Sequence, residues 1–389
     1  MANLPQVDRV LREAAEDGDV PGVVAVAATR DGPCYTGAFG RRGLSDGAAM
    51  TADTVFWIAS MTKAITSTAA MRLVEQGKLS LDWPISEVLP ELTAPQVLEG
   101  FDAAGEPILR PARRPITLRH LLTHTAGFVY DIWNPEMGRY MEKTGVPGII
   151  SCQNAALMLP LVFDPGDRWD YGINIDWAGK AVERASGQSL GDFFAEHIFG
   201  PLGMTDTAFT PTPGRRARLA GMHARAADGT LAVIPFELPQ DPEFQMGGGG
   251  LYGTAADYLA FERLFLNQGR ADGRQVLRPE TVELMSQNAI GGLEVRLLET
   301  AVPAYSNNAE FFPGMVKKWG LGFMISPEPV PGGRDAGSLA GAGLGNTYFW
   351  IDPTKGIAGV ILMQLIPFAD PKALALLDSF EKAVYAGLG

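Results

Sequence analysis

Residues 54–63 read TVFWIASMTK, a β-branched and aromatic run that gives way at Ser60 to a long helical pattern ending at Gly77. That pattern is carried by good helix formers and by apolar Ile65, Ala69, Met71, Leu73 and Val74. Three residues of α-helix put Ser60 and Lys63 on the same face, one turn apart. Such a pair can make a nucleophile, because a serine hydroxyl is inert until a base takes its proton. A lysine serves once desolvation or a neighbouring cation leaves part of it neutral. The free N–H groups and dipole of the helix N-terminus favour an oxyanion forming beside them. S-x-x-K alone reads equally well as a helix start with a solvated lysine; its place directly after a strand is what gives it weight here.

Outward from this junction the chain divides into three. Residues 22–30 (GVVAVAATR) are apolar and β-branched, Asp31 and Gly32 turn them, and residues 34–39 return, the signature of a hairpin. From 79 to 258 many prolines and glycines separate short helical pieces at 117–122, 174–186 and 189–199. Strand patterns come back at 319–325, 346–351 and 357–364, and Asp370 and Pro371 open a closing helix. These patterns predict an α+β fold, an α/β sandwich in which an antiparallel sheet is flanked by helices. The sheet domain is expected from 1–78 and 259–389, with 79–258 as a mostly helical inserted domain.

Composition excludes whole classes of function. The 389 residues carry 32 Lys and Arg against 44 Asp and Glu, a net charge of −12, so the field repels phosphate backbones and anionic lipid heads. Neither nucleic acid nor membrane is expected as a partner. The 13-residue apolar stretch at 357–369 is too short to span a bilayer. Cys34 and Cys152 are the only cysteines, giving no disulfide framework and no zinc or iron–sulfur cluster. Residues 1–19 lack the basic and apolar regions of a secretory signal, so a cytoplasmic location is expected. No cofactor or metal is called for.

Read together, FWIASMTK, EQGKLSLDWPI, the LRHLLTHTAGF segment at 118–128 and the GTAADYLAF segment at 253–261 resemble the serine β-lactamase and penicillin-binding-protein superfamily. HTAGF, the surroundings of Tyr171 and the missing signal peptide are similar to family VIII carboxylesterases, relatives of class C β-lactamases. The resemblance implies a β-lactamase/transpeptidase-like fold. It also implies that Tyr171, in DPGDRWDYGINID at 164–176, is the catalytic base acting with Lys63 on Ser60. Where class C enzymes have Y-x-N, Asn174 stands one place late, which favours an ester over a lactam. The third motif, K-T-G or W-x-G on an edge strand, falls at Gly341, Ala342 and Gly343, so its cation or bulky ring is replaced by a glycine that leaves room for substrate. The oxyanion hole is then expected from the N–H groups of Ser60 and Leu344.

Several other motifs read as structure. Gly187 to Gly191 spells G-x-S-x-G, but Ser189 follows a helix stop and is expected to cap the next helix. Lys143-Thr144-Gly145 and Tyr305-Ser306-Asn307 spell lactamase motifs in the wrong places. His120 and His124 are four apart on a helix but lack the glutamate and third ligand of a zinc site. The glycines of 246–254 (MGGGGLYGT) are expected to form a tight loop feeding a helix capped by Thr254, with Asp257 three residues later. The expectation is a serine hydrolase that cleaves short-chain carboxylic esters through an acyl-enzyme on Ser60, with weak β-lactam hydrolysis compatible with it. An acyltransferase, a D-amino-acid peptidase or β-lactamase of the same fold, and a catalytically silent binding protein remain as alternatives.

Overall fold

The protein is described from a computed structural model, which covers residues 3–45, 47–271 and 273–388. Helix α1 (Pro5–Glu16) precedes the predicted hairpin of β1 (Gly22–Thr29) and β2 (Gly32–Gly40). Helix α2 (Thr62–Glu75) follows a single 3₁₀ turn at Ala59–Met61. Within the long middle stretch lies α3 (Asn174–Ser186), with the bounds its periodicity predicts, and after it α4 (Ala255–Leu266). The late strands are β3 (Lys318–Trp319), β4 (Met324–Ser326), β5 (Ser338–Gly343), β6 (Thr347–Asp352) and β7 (Ile357–Leu362), and α5 (Pro371–Leu388) closes the chain.

The seven strands form one antiparallel sheet in the order β3-β4-β5-β6-β7-β1-β2. The first hairpin thus pairs with the last long strand, Val26 opposite Val360, and the two chain ends build a single layer. Its central strands are apolar throughout because both faces are covered. Phe349, Ile351 and Val360 pack towards α2 and α4, while Tyr348, Trp350 and Ile361 pack towards α1 and α5. Helix α2 is enclosed on nearly every side, from Thr62 to Leu73, and that enclosure takes Lys63 out of water.

Three expectations are corrected. The strand bearing Gly341, Ala342 and Gly343 is not an edge strand: β3 and β4 extend the sheet beyond it. The predicted strand at 319–325 is split, because the chain turns at Gly320–Phe323 and pairs back on itself. Within 79–258, expected to be mostly helical, hairpins also pair Gln96–Phe101 with Pro107–Pro111 and Met222–Arg225 with Leu231–Ile234. The run at 54–58 keeps only Phe56–Trp57 as strand, paired with Tyr252–Gly253. Among the described residues no helix is long and apolar enough to cross a membrane.

One buried group in α4 is out of keeping with its surroundings. Glu262 is fully buried, and neither carboxyl oxygen has a hydrogen-bond partner among the described residues. Burial pushes its pKa well above the carboxylate range, opposed only by the more distant charge of Arg334. An acid whose pKa rises on folding loses stability as pH climbs above its unfolded value. Glu262→Met, which keeps the volume and removes the polar atoms, is expected to stabilise the protein by about 1–3 kcal/mol at pH 8 and by less at pH 5. Urea unfolding at the two pH values measures this.

Candidate active site

The backbone into Ser60 is bent. Ala59 has φ of 45°, in the left-handed region unusual for an alanine, and the 3₁₀ turn then sets Ser60 at the mouth of α2. Strand β5 comes close enough to brace this turn because Gly343 has no side chain: a Cβ there would overlap the carbonyl oxygen of Ile58 and the hydroxyl of Thr347. Leu344, directly after β5, therefore lies beside Ser60 and lines the cavities on both sides of it.

One helical turn after the serine, the Lys63 amine makes three hydrogen bonds. Nζ lies 3.0 Å from Ser60 Oγ, 3.0 Å from the Tyr130 hydroxyl and 2.6 Å from the carbonyl oxygen of Gly248. It also stands over the rings of Tyr171 and Tyr130, 4.7 and 5.1 Å from their centres. Burial pushes the lysine pKa down, and the negative charge of Asp176 opposes that fall. Burial raises the pKa of the Tyr171 phenol above that of a free tyrosine, and the nearby Ser60 hydroxyl offsets part of that rise. At neutral pH Tyr171 therefore carries its proton, and the group whose ionisation lies closest to neutrality is Lys63.

Tyr171 is held from all sides. His124 stacks on it at 4.5 Å, and Trp133, Trp319 and Trp169 surround it at 5.8, 6.0 and 6.2 Å. Gly172 lets the chain lie against 128–129, where a Cβ would overlap backbone atoms, and Tyr130 N–H donates to Tyr171 O at 3.2 Å. Asn174, the displaced asparagine, is buried with its Nδ2 3.1 Å from both His124 Nδ1 and the Phe128 carbonyl. Burial, and after it the charge of Lys63, drives the His124 pKa well down, so the ring is neutral.

The structure thus brings Ser60, Lys63, Tyr171 and Leu344 together, and Gly341, Ala342 and Gly343 line the same cavity. The room expected at Gly341 is already filled: an added Cβ would lie 2.5 Å from Cε1 of Phe349, its cross-strand partner. Two residues escaped sequence reasoning. Tyr130 follows the HTAGF segment, and its position in sequence gives no sign of Lys63. Asp176 lies five residues beyond Tyr171. The glycine loop was expected to be mere connection, yet Gly248 O holds the lysine and Gly247 O accepts from Thr66 Oγ1 at 2.7 Å.

The remaining motifs are structural. Ser189 caps the helix Leu190–Phe194, Thr144 and Gly145 end the helix Pro135–Thr144, and Ser306 accepts from Trp133 Nε1 at 3.0 Å. His120 Nδ1 accepts from Thr117 N–H. Thr254 caps α4, but the Asp257 carboxylate turns to Asp206 N–H and Thr207 Oγ1, both at 2.8 Å, instead of closing a capping box. Among the described residues no group of His, Cys, Asp and Glu could hold a metal.

Two cavities meet at Ser60, Trp133 and Leu344. One, of about 80 Å³, is walled by Trp133, Trp169, Trp319, Phe311 and Phe368. The other, of about 590 Å³, opens past Tyr130, Ile149, Ile150, Phe236 and Tyr305.

A profile of the family described as Beta-lactamase matches residues 7–378. Among curated proteins, monacolin J acid methylbutanoyltransferase of Aspergillus terreus is 36% identical, the alignment covering 98% of this chain and 95% of that protein. Lovastatin esterase of Penicillium rubens is 34% identical over 97% and 98%. Among solved structures, the LovD6 mutant of simvastatin synthase (LovD) from Aspergillus terreus superposes with a TM-score of 0.85 at 36% identity, covering 98% of this chain and 96% of that one. EstCE1, a hydrolase with promiscuous acyltransferase activity, superposes with a TM-score of 0.77 at 25% identity, covering 97% and 98%.

The packing at Gly341 is directly testable. Gly341→Ala should cost about 1–3 kcal/mol of stability, as overpacking of a tight site does. Adding Phe349→Leu should recover part of that loss, and a double-mutant cycle by chemical denaturation measures the coupling.

Proposed function

The chain belongs to the beta-lactamase family, and from that premise we propose that it is a serine carboxylesterase, forming an acyl-enzyme on Ser60 from short-chain esters. The observation that carries this reading is the Lys63 amine, buried and 3.0 Å from Ser60 Oγ. Neutral Lys63 takes the hydroxyl proton as Oγ attacks the ester carbonyl carbon. The N–H groups of Ser60 and Leu344 receive the oxyanion. As the tetrahedral intermediate collapses, the Tyr171 phenol gives its proton to the departing alkoxide and regains one from the Lys63 ammonium. Water then attacks the acyl carbon and gives its proton to Lys63, and as the second tetrahedral intermediate collapses the Ser60 Oγ–C bond breaks, Oγ takes that proton back and the acid is released. Loss of the serine–lysine–tyrosine set would have favoured a silent binding protein; the set is intact.

The sizes of the two cavities support a division between them. At about 80 Å³ the aromatic one is roughly half the ~150 Å³ of an engineered cavity that accommodates benzene. It suits an acyl chain of about two to four carbons, and the wide cavity takes the alcohol portion. A second reading, transfer of the acyl group to an alcohol in place of water, is supported by the 36% identity to a methylbutanoyltransferase and by the room for a bulky acceptor. Hydrolysis of lactams draws less support, since the Asn174 amide nitrogen is committed to His124 and Phe128. The reading places the reaction in the cytoplasm, in keeping with two cysteines that are both free thiols.

p-Nitrophenyl acetate and butyrate should be turned over, and the octanoate at least about tenfold more slowly, as expected when a chain outgrows its pocket. Ser60→Ala should lower kcat by about 10³-fold or more, and mass spectrometry of quenched wild-type enzyme should find the acyl group on Ser60. Equal rates for wild type and Ser60→Ala would overturn the assignment of the nucleophile. A bulky apolar alcohol added to the assay separates the two readings: transfer yields a new ester, and hydrolysis alone yields only the acid.

A further inference from the structure

We propose that Asp176 is the positioning residue that sets the charge and the direction of the Lys63 amine. The inference rests on the reading of Lys63 as the base that activates Ser60.

Asp176 lies in the first turn of α3, where an acidic side chain ordinarily serves its own helix. Here it does otherwise. Its Oδ1 accepts from the N–H of Gly248, in a separate segment, at 2.7 Å. The carbonyl oxygen of that same Gly248 accepts from Lys63 Nζ at 2.6 Å. One residue of backbone therefore joins carboxylate to amine, donating to one and accepting from the other. Gly248 must be glycine for this seating, because a Cβ would overlap the Asp176 carboxylate. Oδ2 is buried and has no hydrogen-bond partner among the described residues.

An ionised carboxylate buried in this way is costly unless a cation compensates it. The groups whose charges bear on the pair come from every neighbouring segment. They are Lys63 from α2, His124 and Tyr130 from the segment before the large cavity, Cys152, and Tyr171. Lys63 is the group among them that can carry a positive charge, since His124 is held neutral. Burial alone pushes the Lys63 amine towards its neutral form. The Asp176 charge opposes this, keeping the amine basic enough to accept the serine proton. The link through Gly248 turns it towards Ser60 and Tyr130.

Asp176→Asn separates charge from geometry, since its amide oxygen can still accept from Gly248 N–H. With the anion removed the Lys63 ammonium loses its stabilisation, so the neutral amine persists to lower pH. The acid limb of the kcat/KM profile for p-nitrophenyl butyrate should move down by about one pH unit or more, the scale of a nearby opposite charge. Asp176→Ala, which also releases Gly248, should in addition lower kcat beyond the Asn variant with little change in KM. Titration of the Lys63 Nζ signal in protein labelled with ¹⁵Nζ-lysine, assigned by Lys63→Arg, reads the same ionisation without turnover. A signal that titrates lower in Asp176→Asn supports the proposal even if no ester is cleaved, in which case only the esterase reading fails. An unchanged Lys63 titration in a folded Asp176→Asn protein overturns the proposal, whatever the activity.

Discussion

A lysine amine removed from water is the constraint on which the rest of this structure depends. An ammonium without water needs acceptors or must shed its proton. Lys63 has three oxygen neighbours, and each is supplied by a different part of the chain: Ser60 from the turn into α2, Tyr130 from the segment after HTAGF, and Gly248 from the glycine loop. None could reach the amine unless the sheet built from both chain ends and the inserted region met across α2. The burial of that helix on nearly all sides is thus the structural condition for the chemistry proposed, because a lysine on an exposed helix face would keep its ordinary ionisation.

Close backbone approach does most of the positioning. Gly343 lets β5 brace the turn that carries Ser60, Gly172 lets the Tyr171 loop lie on 128–129, and Gly248 lets the loop seat against Asp176. In each case a single methyl group would push apart two segments distant in sequence. These glycines lie outside the left-handed region of backbone space, so their role is closeness and not turn geometry.

That distinction explains what could be read from sequence. The hairpin at 22–40, the span of α3 and the Ser60–Lys63 pair depend on local periodicity and spacing, and they stand in the structure where those patterns put them. Tyr171 and Leu344 were reached through resemblance to a superfamily, since nothing local marks either. Tyr130 and Asp176 lie 67 and 113 residues from Lys63, and no pattern announces a partnership made only by tertiary packing. Gly341 misled for the same reason: absence of a side chain was read as empty space, whereas the cross-strand ring of Phe349 already occupies it. The extra strands β3 and β4 were partly visible, but the turn at 320–323 has the same apolar character as the strands it separates.

On the proposed chemistry, the balance between cleavage and transfer is settled away from the reacting atoms. Both outcomes use one acyl-enzyme and one proton route, and they differ only in which hydroxyl approaches the acyl carbon. The small aromatic cavity cannot decide between them, because the acyl chain fills it in either case. The decision falls to the wide cavity. Empty, it admits water to the acyl-enzyme; occupied by an apolar alcohol, it places a competing nucleophile at an effective concentration bulk water cannot match and excludes water at the same time. Its walls, with Ile149, Ile150 and Phe236 facing the opening, favour an apolar occupant over a strongly hydrated one.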